Sequence, residues 1–301
     1  MAGARDLLII GGGPAGLSAA LIAHGNGLDT LLLEAGEQLG GQLRRADHPI
    51  TDYLGVEAES GAALAARFQE HVVAAHVPLR LGARVARIEL ERSDLCAILT
   101  EGERILARRI LIASGTRARR LGIVGEDTLG AFEPARTLAA SLAGESVVIA
   151  GTGDEACSNA LVLAEHGVHV TIVGRSPVLR ARGMFARWVA GEPRIETRLG
   201  EQIVALEGEE ALRAVVLRSG GRILARRLFV RIGVEITLPE IDPPIALHPD
   251  GRVMADAVGR TSVPGLFAAG DVVAEGPRRY AAIACGMGVA AARAIEGELF
   301  P

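Results

Sequence analysis

The sequence predicts an α/β protein with a buried parallel sheet, and three observations carry that prediction. The chain of 301 residues is 49% hydrophobic but only 3% aromatic, so its core has to be built from Ala, Val, Leu and Ile. Short Val/Ile/Leu runs alternate with Ala/Leu-rich stretches of helical period, the pattern of strands covered on both faces. Twice, an apolar run leads through a glycine-rich turn into such a helical stretch. The length allows two domains, one around each turn.

The elements follow in order. Asp6–Ile10 is a short apolar strand, and Gly11-Gly12-Gly13-Pro14-Ala15-Gly16 is the first turn. Leu17–Ala23 continues as a helix, and Thr30–Leu33 is a second strand ending at Glu34. This is a βαβ unit of dinucleotide-binding type. Gly11 allows the tight turn, Gly13 lets the backbone approach a pyrophosphate, and Gly16 lets helix and strand pack closely. The helix start offers free N–H groups to phosphates. Glu34 stands where a carboxylate accepts hydrogen bonds from ribose hydroxyls.

Val147–Ala150, Gly151-Thr152-Gly153-Asp154-Glu155-Ala156, Ser158–His166 and Val168–Val173 repeat the pattern. Here the second strand ends at Gly174-Arg175, with no carboxylate for a 2′-hydroxyl. Arg175 and Arg180 point instead to pairing of a 2′-phosphate, favouring NADP(H) over NAD(H). A third segment, Thr261–Asp271, is a buried strand running into Gly270-Asp271, with a helix following from about Tyr280. Such an aspartate accepts a hydrogen bond from a flavin ribityl hydroxyl, and the helix start faces the edge where charge gathers on flavin reduction.

Composition narrows the function classes. A net charge of −4 argues against a nucleic-acid binder. All 32 basic side chains are arginine, so Schiff-base chemistry through lysine is excluded. Cys96, Cys157 and Cys285 form no CxxC spacing, which removes a zinc knuckle or a thioredoxin-like pair. No metal site is expected. The few cysteines fit a reducing, cytoplasmic compartment. No apolar run of about 18 residues predicts a membrane span, and the N-terminus lacks a signal-peptide pattern.

Taken together, the residues resemble the low-molecular-weight thioredoxin reductase family of flavoproteins over nearly the whole chain. The pieces are the two glycine turns, Gly40-Gly41-Gln42-Leu43, Asp52-Tyr53-Leu54-Gly55, Ile112–Arg117, Gly174-Arg175, Ile232-Gly233 and Thr261–Asp271. The resemblance implies two Rossmann-like, three-layer ββα dinucleotide-binding domains. The NAD(P)H domain, 117–236, is then inserted into an FAD domain made of 1–116 and 237–301, and the molecule is a homodimer. It implies FAD contacts at Gly11, Gly13, Pro14, Ala15, Gly16, Glu34, Ala35, Gly41, Gln42, Leu43, Ala113, Gly115, Gly270 and Asp271. It implies NADPH (or NADH) contacts at Gly151, Gly153, Asp154, Glu155, Ala156, Arg175 and Arg180. A third arginine expected next to Arg175 is Ser176 here, which weakens the NADPH preference.

One departure decides the expected reaction. The family places its CxxC pair just before the second glycine turn, where this chain reads Gly130-Ala131-Phe132-Glu133-Pro134-Ala135-Arg136-Thr137. Electron transfer from flavin to a disulfide needs a sulfur against the ring. The expected function is therefore an NAD(P)H- and FAD-dependent oxidoreductase whose acceptor is not thioredoxin: ferredoxin or flavodoxin, a quinone or a small oxidant. Alternatives are a disulfide reductase using Cys285 or a partner's thiols, and a non-catalytic flavin-binding protein. No catalytic residue is certain; His48, Tyr280 and Cys285 are the candidates. The arginines Arg104, Arg108, Arg109, Arg117, Arg119 and Arg120 form a candidate docking face for an acidic carrier, or a solvated edge.

Overall fold

The computed structural model describes residues 3–46, 49–91, 94–131 and 135–301. By its contacts the chain forms two compact units, one of residues 1–117 with 236–301 and one of residues 118–235. The unit that begins the chain opens with β1 (Arg5–Ile10), α1 (Pro14–Gly25) and β2 (Thr30–Leu33). It continues through α2 (Gly61–Ala74), β3 (Leu79–Arg80), β4 (Val85–Glu91), β5 (Asp94–Leu99) and β6 (Arg104–Ile112).

The sheet of this unit is parallel where β1 pairs β2 and β6, and where β2 pairs β3. It is antiparallel where β4, β5 and the first half of β6 form a meander. The register explains the uninterrupted apolar run of β1. Leu7 and Ile9 face the helices and share a core with Leu17, Ala19, Ala20 and Ala23 of α1. Leu8 and Ile10 face the other way, against Ile88, Ala97 and Leu99 of the meander. Both faces are dry, so period-2 alternation disappears, as expected for a middle layer. Burying each such Leu or Ile side chain contributes about 1.5–3 kcal/mol.

The second unit is the chain's insertion. In order it contains the rest of β7 (Thr116–Ala118), α3 (Glu126–Leu129), β8 (Gly130–Ala131), α4 (Ala135–Ala139), β9 (Ser146–Ala150), α5 (Asp154–Glu165) and β10 (His169–Gly174). Then come α6 (Gly183–Gly191), β11 (Ile195–Leu199), β12 (Ile203–Gly208), β13 (Leu212–Leu217), β14 (Arg222–Leu224), β15 (Arg227–Val230) and β16 (Val234–Ile236). Five strands are ordered β11-β10-β9-β15-β8, all parallel, and β12-β13-β14 form a separate antiparallel sheet. The three layers recur. Val147, Ile149 and Phe229 face α4 and α5, whereas Val148, Ala150, Leu228 and Val230 face the antiparallel sheet. β7 and β16, the two chain crossings, pair with each other.

The chain returns to the first unit through β17 (Glu240–Asp242), which pairs β4, and β18 (Leu266–Ala268), which pairs the end of β6. It ends in α7 (Ala281–Leu299). This helix lies on α1 through small side chains: Ala284, Ala291 and Ala292 share the core with Ala15, Ala19 and Ala20. The contact is closest at Gly288, where any Cβ would overlap the Ala15 carbonyl oxygen. The architecture is therefore α/β with parallel-strand sheets in three layers, as the family resemblance implies; the antiparallel β4–β6 meander and β12–β14 sheet are beyond the buried parallel sheet that the apolar runs predict. Among the described residues, no helix is long and apolar enough to cross a membrane.

Candidate functional site

The first glycine turn is shaped by close approaches on one side and open space on the other. Gly11 has φ +110°, and a Cβ there would strike the Ala113 carbonyl. A Cβ on Gly16 would overlap the Gly11 carbonyl oxygen, so only glycine lets α1 start this near the turn. Gly13, by contrast, has nothing within 4 Å of its Cβ position. It is the extended N-cap of α1 and no side chain caps it, with Pro14 following. The helix start thus keeps its N–H groups for an external acceptor.

Glu34 binds the turn itself. Its Oε2 accepts the Gly12 N–H and its Oε1 accepts the Gly36 N–H, each at 2.7 Å. Each carboxylate oxygen keeps a further lone pair for a ribose hydroxyl. Ala35 follows, half-buried. The Gly40–Leu43 segment closes over the turn, with Gly40 N–H donating to the Gly12 carbonyl at 2.7 Å. A Cβ on Gly41 would lie 3.1 Å from the Gly13 Cα. Gln42 and Leu43 are engaged elsewhere: Gln42 Nε2 donates to the Thr116 carbonyl at 2.8 Å and contacts its Oγ1, and Leu43 packs with Ile50, Ala58 and Leu64. Ala15 is buried beneath Gly270, and Gly115 turns with φ +66°. Ala113 N–H donates to the Ile10 carbonyl at 2.8 Å.

Asp271 lies in a short 3-10 turn after Gly270. Burial pushes its carboxyl above the ordinary value, and the Arg279 guanidinium partly offsets that. Arg279 Nε is itself buried without a hydrogen-bond partner, so a cationic donor stands unsatisfied in the same unit as the first turn. An acceptor group near Asp271 would suit that donor, and the open face at Gly13 with the uncapped start of α1 suits a phosphate. Sequence reading missed Arg279, although it precedes the candidate Tyr280 directly.

Of the candidate catalytic residues, Tyr280 is the N-cap of α7 and 53% exposed. Cys285 is half-buried in the first turns of the same helix. Its Sγ accepts the Tyr53 hydroxyl at 3.6 Å. Burial, then that bond and the sulfur's charge, push the Tyr53 hydroxyl up to about 12. His48 lies outside the described residues, as do Phe132, Glu133 and Pro134 in the stretch where the CxxC pair is missing from the sequence. Cys96 and Cys157 are fully buried, the latter's thiol pushed up to about 11 by burial and by Asp154.

The second turn has the same backbone logic. Gly151 has φ +137° and its Cβ would overlap the Arg231 carbonyl oxygen. Gly153 is the extended, uncapped N-cap of α5, with open space around its Cβ position. Ala156 is buried, its Cβ 3.4 Å from the one Gly151 would carry. The carboxylates differ from those of the first turn. Asp154 accepts the Arg182 N–H at 2.7 Å and Arg182 Nε at 2.6 Å. Glu155 lies 3.3 Å from Nε of the buried Arg231, which also donates to Asn159 Oδ1 at 2.8 Å. Both acids therefore face arginines. Arg175 and Arg180 are exposed, and no ion pair to either is present among the described residues.

The candidate arginine docking face is neutralised by its neighbours. Arg104 pairs Glu89 and Glu91, Arg108 pairs Asp6, Arg109 pairs Glu298, and Arg120 pairs Asp127. Arg119 Nε donates to the Val234 carbonyl at 2.9 Å, and Arg117 also has a partner. The solvated edge is the better description, because the acids that balance these side chains come from elsewhere in the chain and were invisible in the local run.

Residues 5–288 match the family model described as pyridine nucleotide-disulphide oxidoreductase. A ferredoxin--NADP reductase from Ignicoccus hospitalis is 30% identical over 94% of this chain and 94% of its own length. An NADH dehydrogenase from Bacillus subtilis is 28% identical over 88% of this chain, which spans only 53% of that relative. Among solved structures, a thioredoxin reductase from Lactococcus lactis superposes with a TM-score of 0.84 and 27% identity, covering 97% of this chain and 98% of that one. The family implies a flavin and a nicotinamide nucleotide. The chain belongs to the pyridine nucleotide-disulphide oxidoreductase family, as an oxidoreductase of the thioredoxin reductase-like type.

Proposed function

We propose that this oxidoreductase holds FAD in the unit of the first glycine turn and NADPH in the unit of the second, and delivers electrons to an acceptor other than thioredoxin. The observation that carries the reading is the contrast between the turns. The first closes on a carboxylate, Glu34, suited to ribose hydroxyls, whereas the second leads to Arg175 and Arg180, suited to a 2′-phosphate. Gly11, Gly13, Gly16 and the start of α1 would receive the FAD pyrophosphate, with Asp271 and Arg279 as further polar contacts. A bound flavin supplies the chemistry of taking two electrons from a nicotinamide and releasing them to an acceptor. The protein's part is to position and to exclude water; no acid–base residue is required.

The cysteine inventory supports an acceptor other than thioredoxin. The chain has three cysteines, two of them fully buried, and no CxxC pair. The full-length likeness to a ferredoxin--NADP reductase supports a small electron-carrier protein, ferredoxin or flavodoxin, ahead of a quinone or small oxidant. Anaerobic mixing of the yellow protein with NADPH or NADH in stopped flow tests the entry of electrons. Bleaching by NADPH ahead of NADH is expected; no bleaching by either overturns the proposal. An acceptor screen follows, with ferredoxin, flavodoxin, a quinone and oxidised thioredoxin, the last expected to be inert.

A second reading, disulfide reduction through Cys285, has one observation in its favour: the half-buried sulfur carries a hydroxyl proton donor in Tyr53. Under it, Cys285→Ser abolishes reduction of a disulfide substrate. Unchanged turnover removes that reading.

A further inference from the structure

The loop that carries Arg175 and Arg180 is tied to the second glycine turn at three points. Arg180 N–H donates to the Thr152 carbonyl at 2.7 Å. Arg182 N–H and Nε reach the two oxygens of Asp154 at 2.7 and 2.6 Å. Ser176 braces the same loop, its hydroxyl donating to the Val178 carbonyl at 2.6 Å and accepting the Val178 N–H at 3.2 Å. Asp154 is the first residue of α5, where an uncompensated carboxylate would repel nucleotide phosphates. Arg182 balances that charge, and its backbone N–H makes the contact more than an exposed ion pair, which alone contributes little.

We propose that Asp154 and Arg182 form a positioning clasp. The clasp holds the loop bearing Arg175 and Arg180 against the second turn and so sets discrimination for 2′-phosphorylated adenine nucleotides. The inference rests on the reading of the second turn as the NADPH site. The resemblance places Asp154 among the nucleotide contacts, but both of its oxygens are taken by Arg182, so in this role it acts through Arg182 and not on the ligand. The sign of its effect separates the clasp from simple electrostatics. If Asp154 were only a residual negative charge near phosphates, removing it would tighten every anionic nucleotide. If it is a clasp, removing it weakens the 2′-phosphorylated ligand selectively.

The test is calorimetric titration of the purified full chain with adenosine 2′,5′-bisphosphate and with 5′-AMP, which needs no redox turnover. Asp154→Ala is expected to weaken the bisphosphate about fivefold, the size of a lost capping-type contact, and to change 5′-AMP less than about twofold. Asp154→Asn keeps an Oδ1 acceptor for the Arg182 N–H and restores most of the loss. Should the alanine variant fail to fold, Arg182→Gln carries the test: an unchanged preference in it overturns the clasp. Arg182→Gln weakens the bisphosphate, and adding it to Asp154→Ala costs nothing further, because both act on one contact. An unchanged preference in Asp154→Ala, or tighter binding of both ligands, overturns the clasp. Arg175→Gln and Arg180→Gln serve as reference. If they leave the preference unchanged, the NADPH-site reading fails and the clasp with it. If they lower it and Asp154→Ala does not, only the clasp fails.

Discussion

Glu34→Gln isolates what the first-turn carboxylate does before any cofactor binds. Both carboxylate oxygens accept backbone N–H groups, from Gly12 and Gly36, at 2.7 Å. A glutamine keeps one oxygen and turns an NH2 donor toward the other N–H. One charge-assisted hydrogen bond, worth about 1.5–3 kcal/mol, is lost, and the other falls to a neutral bond worth about 1 kcal/mol. Because the side chain is only half-buried, water recovers part of this, leaving about 2 kcal/mol. For a unit of this size that is a fall in Tm of about 4–8 °C. The assay is thermal denaturation of the flavin-free protein by circular dichroism, with the exposed Glu70→Gln as control. If the two variants melt within about 1 °C of each other, Glu34 does not organise the turn and the argument is refuted. FAD affinity should fall as well, since the same carboxylate is proposed to meet the ribose.

Three further outcomes are expected. Asp271→Asn should raise the Tm of the flavin-free protein near neutral pH while weakening FAD. Burial holds the folded carboxyl above its ordinary 3.8, so the stability of the protonated form is lost as pH rises through the folded pKa. The gain therefore fades on acidification, and a gain independent of pH would contradict it. At pH 8 a thiol reagent should modify one cysteine of the native chain, Cys285, and three after denaturation, because Cys96 and Cys157 are buried with raised thiol pKa values. Reaction of more than one native thiol, or none at Cys285 by mass spectrometry, would be inconsistent. Gly151→Ala forces a Cβ onto the Arg231 carbonyl at φ +137°. It should cost about 2–4 kcal/mol and abolish adenosine 2′,5′-bisphosphate binding without altering flavin content; retention of tight binding would show that the turn tolerates a side chain.

The parts legible in the sequence were local. An apolar strand, a glycine turn and a small-residue helix lie within about twenty consecutive residues, and backbone sterics dictate where glycine is needed. Gly11 and Gly151 sit at positive φ, and Gly13 and Gly153 face open space, because each of those properties depends on the turn alone. A sheet buried on both faces was likewise implied by β1 and β9, whose unbroken apolar runs require two dry faces.

Only the tertiary structure decided which partner each polar group takes. Nothing near Gln42 in the chain announces Thr116, and nothing near Glu155 announces the buried Arg231. The same holds for Cys285 with Tyr53, and for Asp154 with Arg182. The arginine run that allowed either a docking face or a solvated edge is balanced by acids from other parts of the chain, which favours the edge. The physical reason is common to all of these. Backbone conformation is set by neighbours in sequence, whereas the charge and hydrogen-bond balance of a side chain is set by neighbours in space.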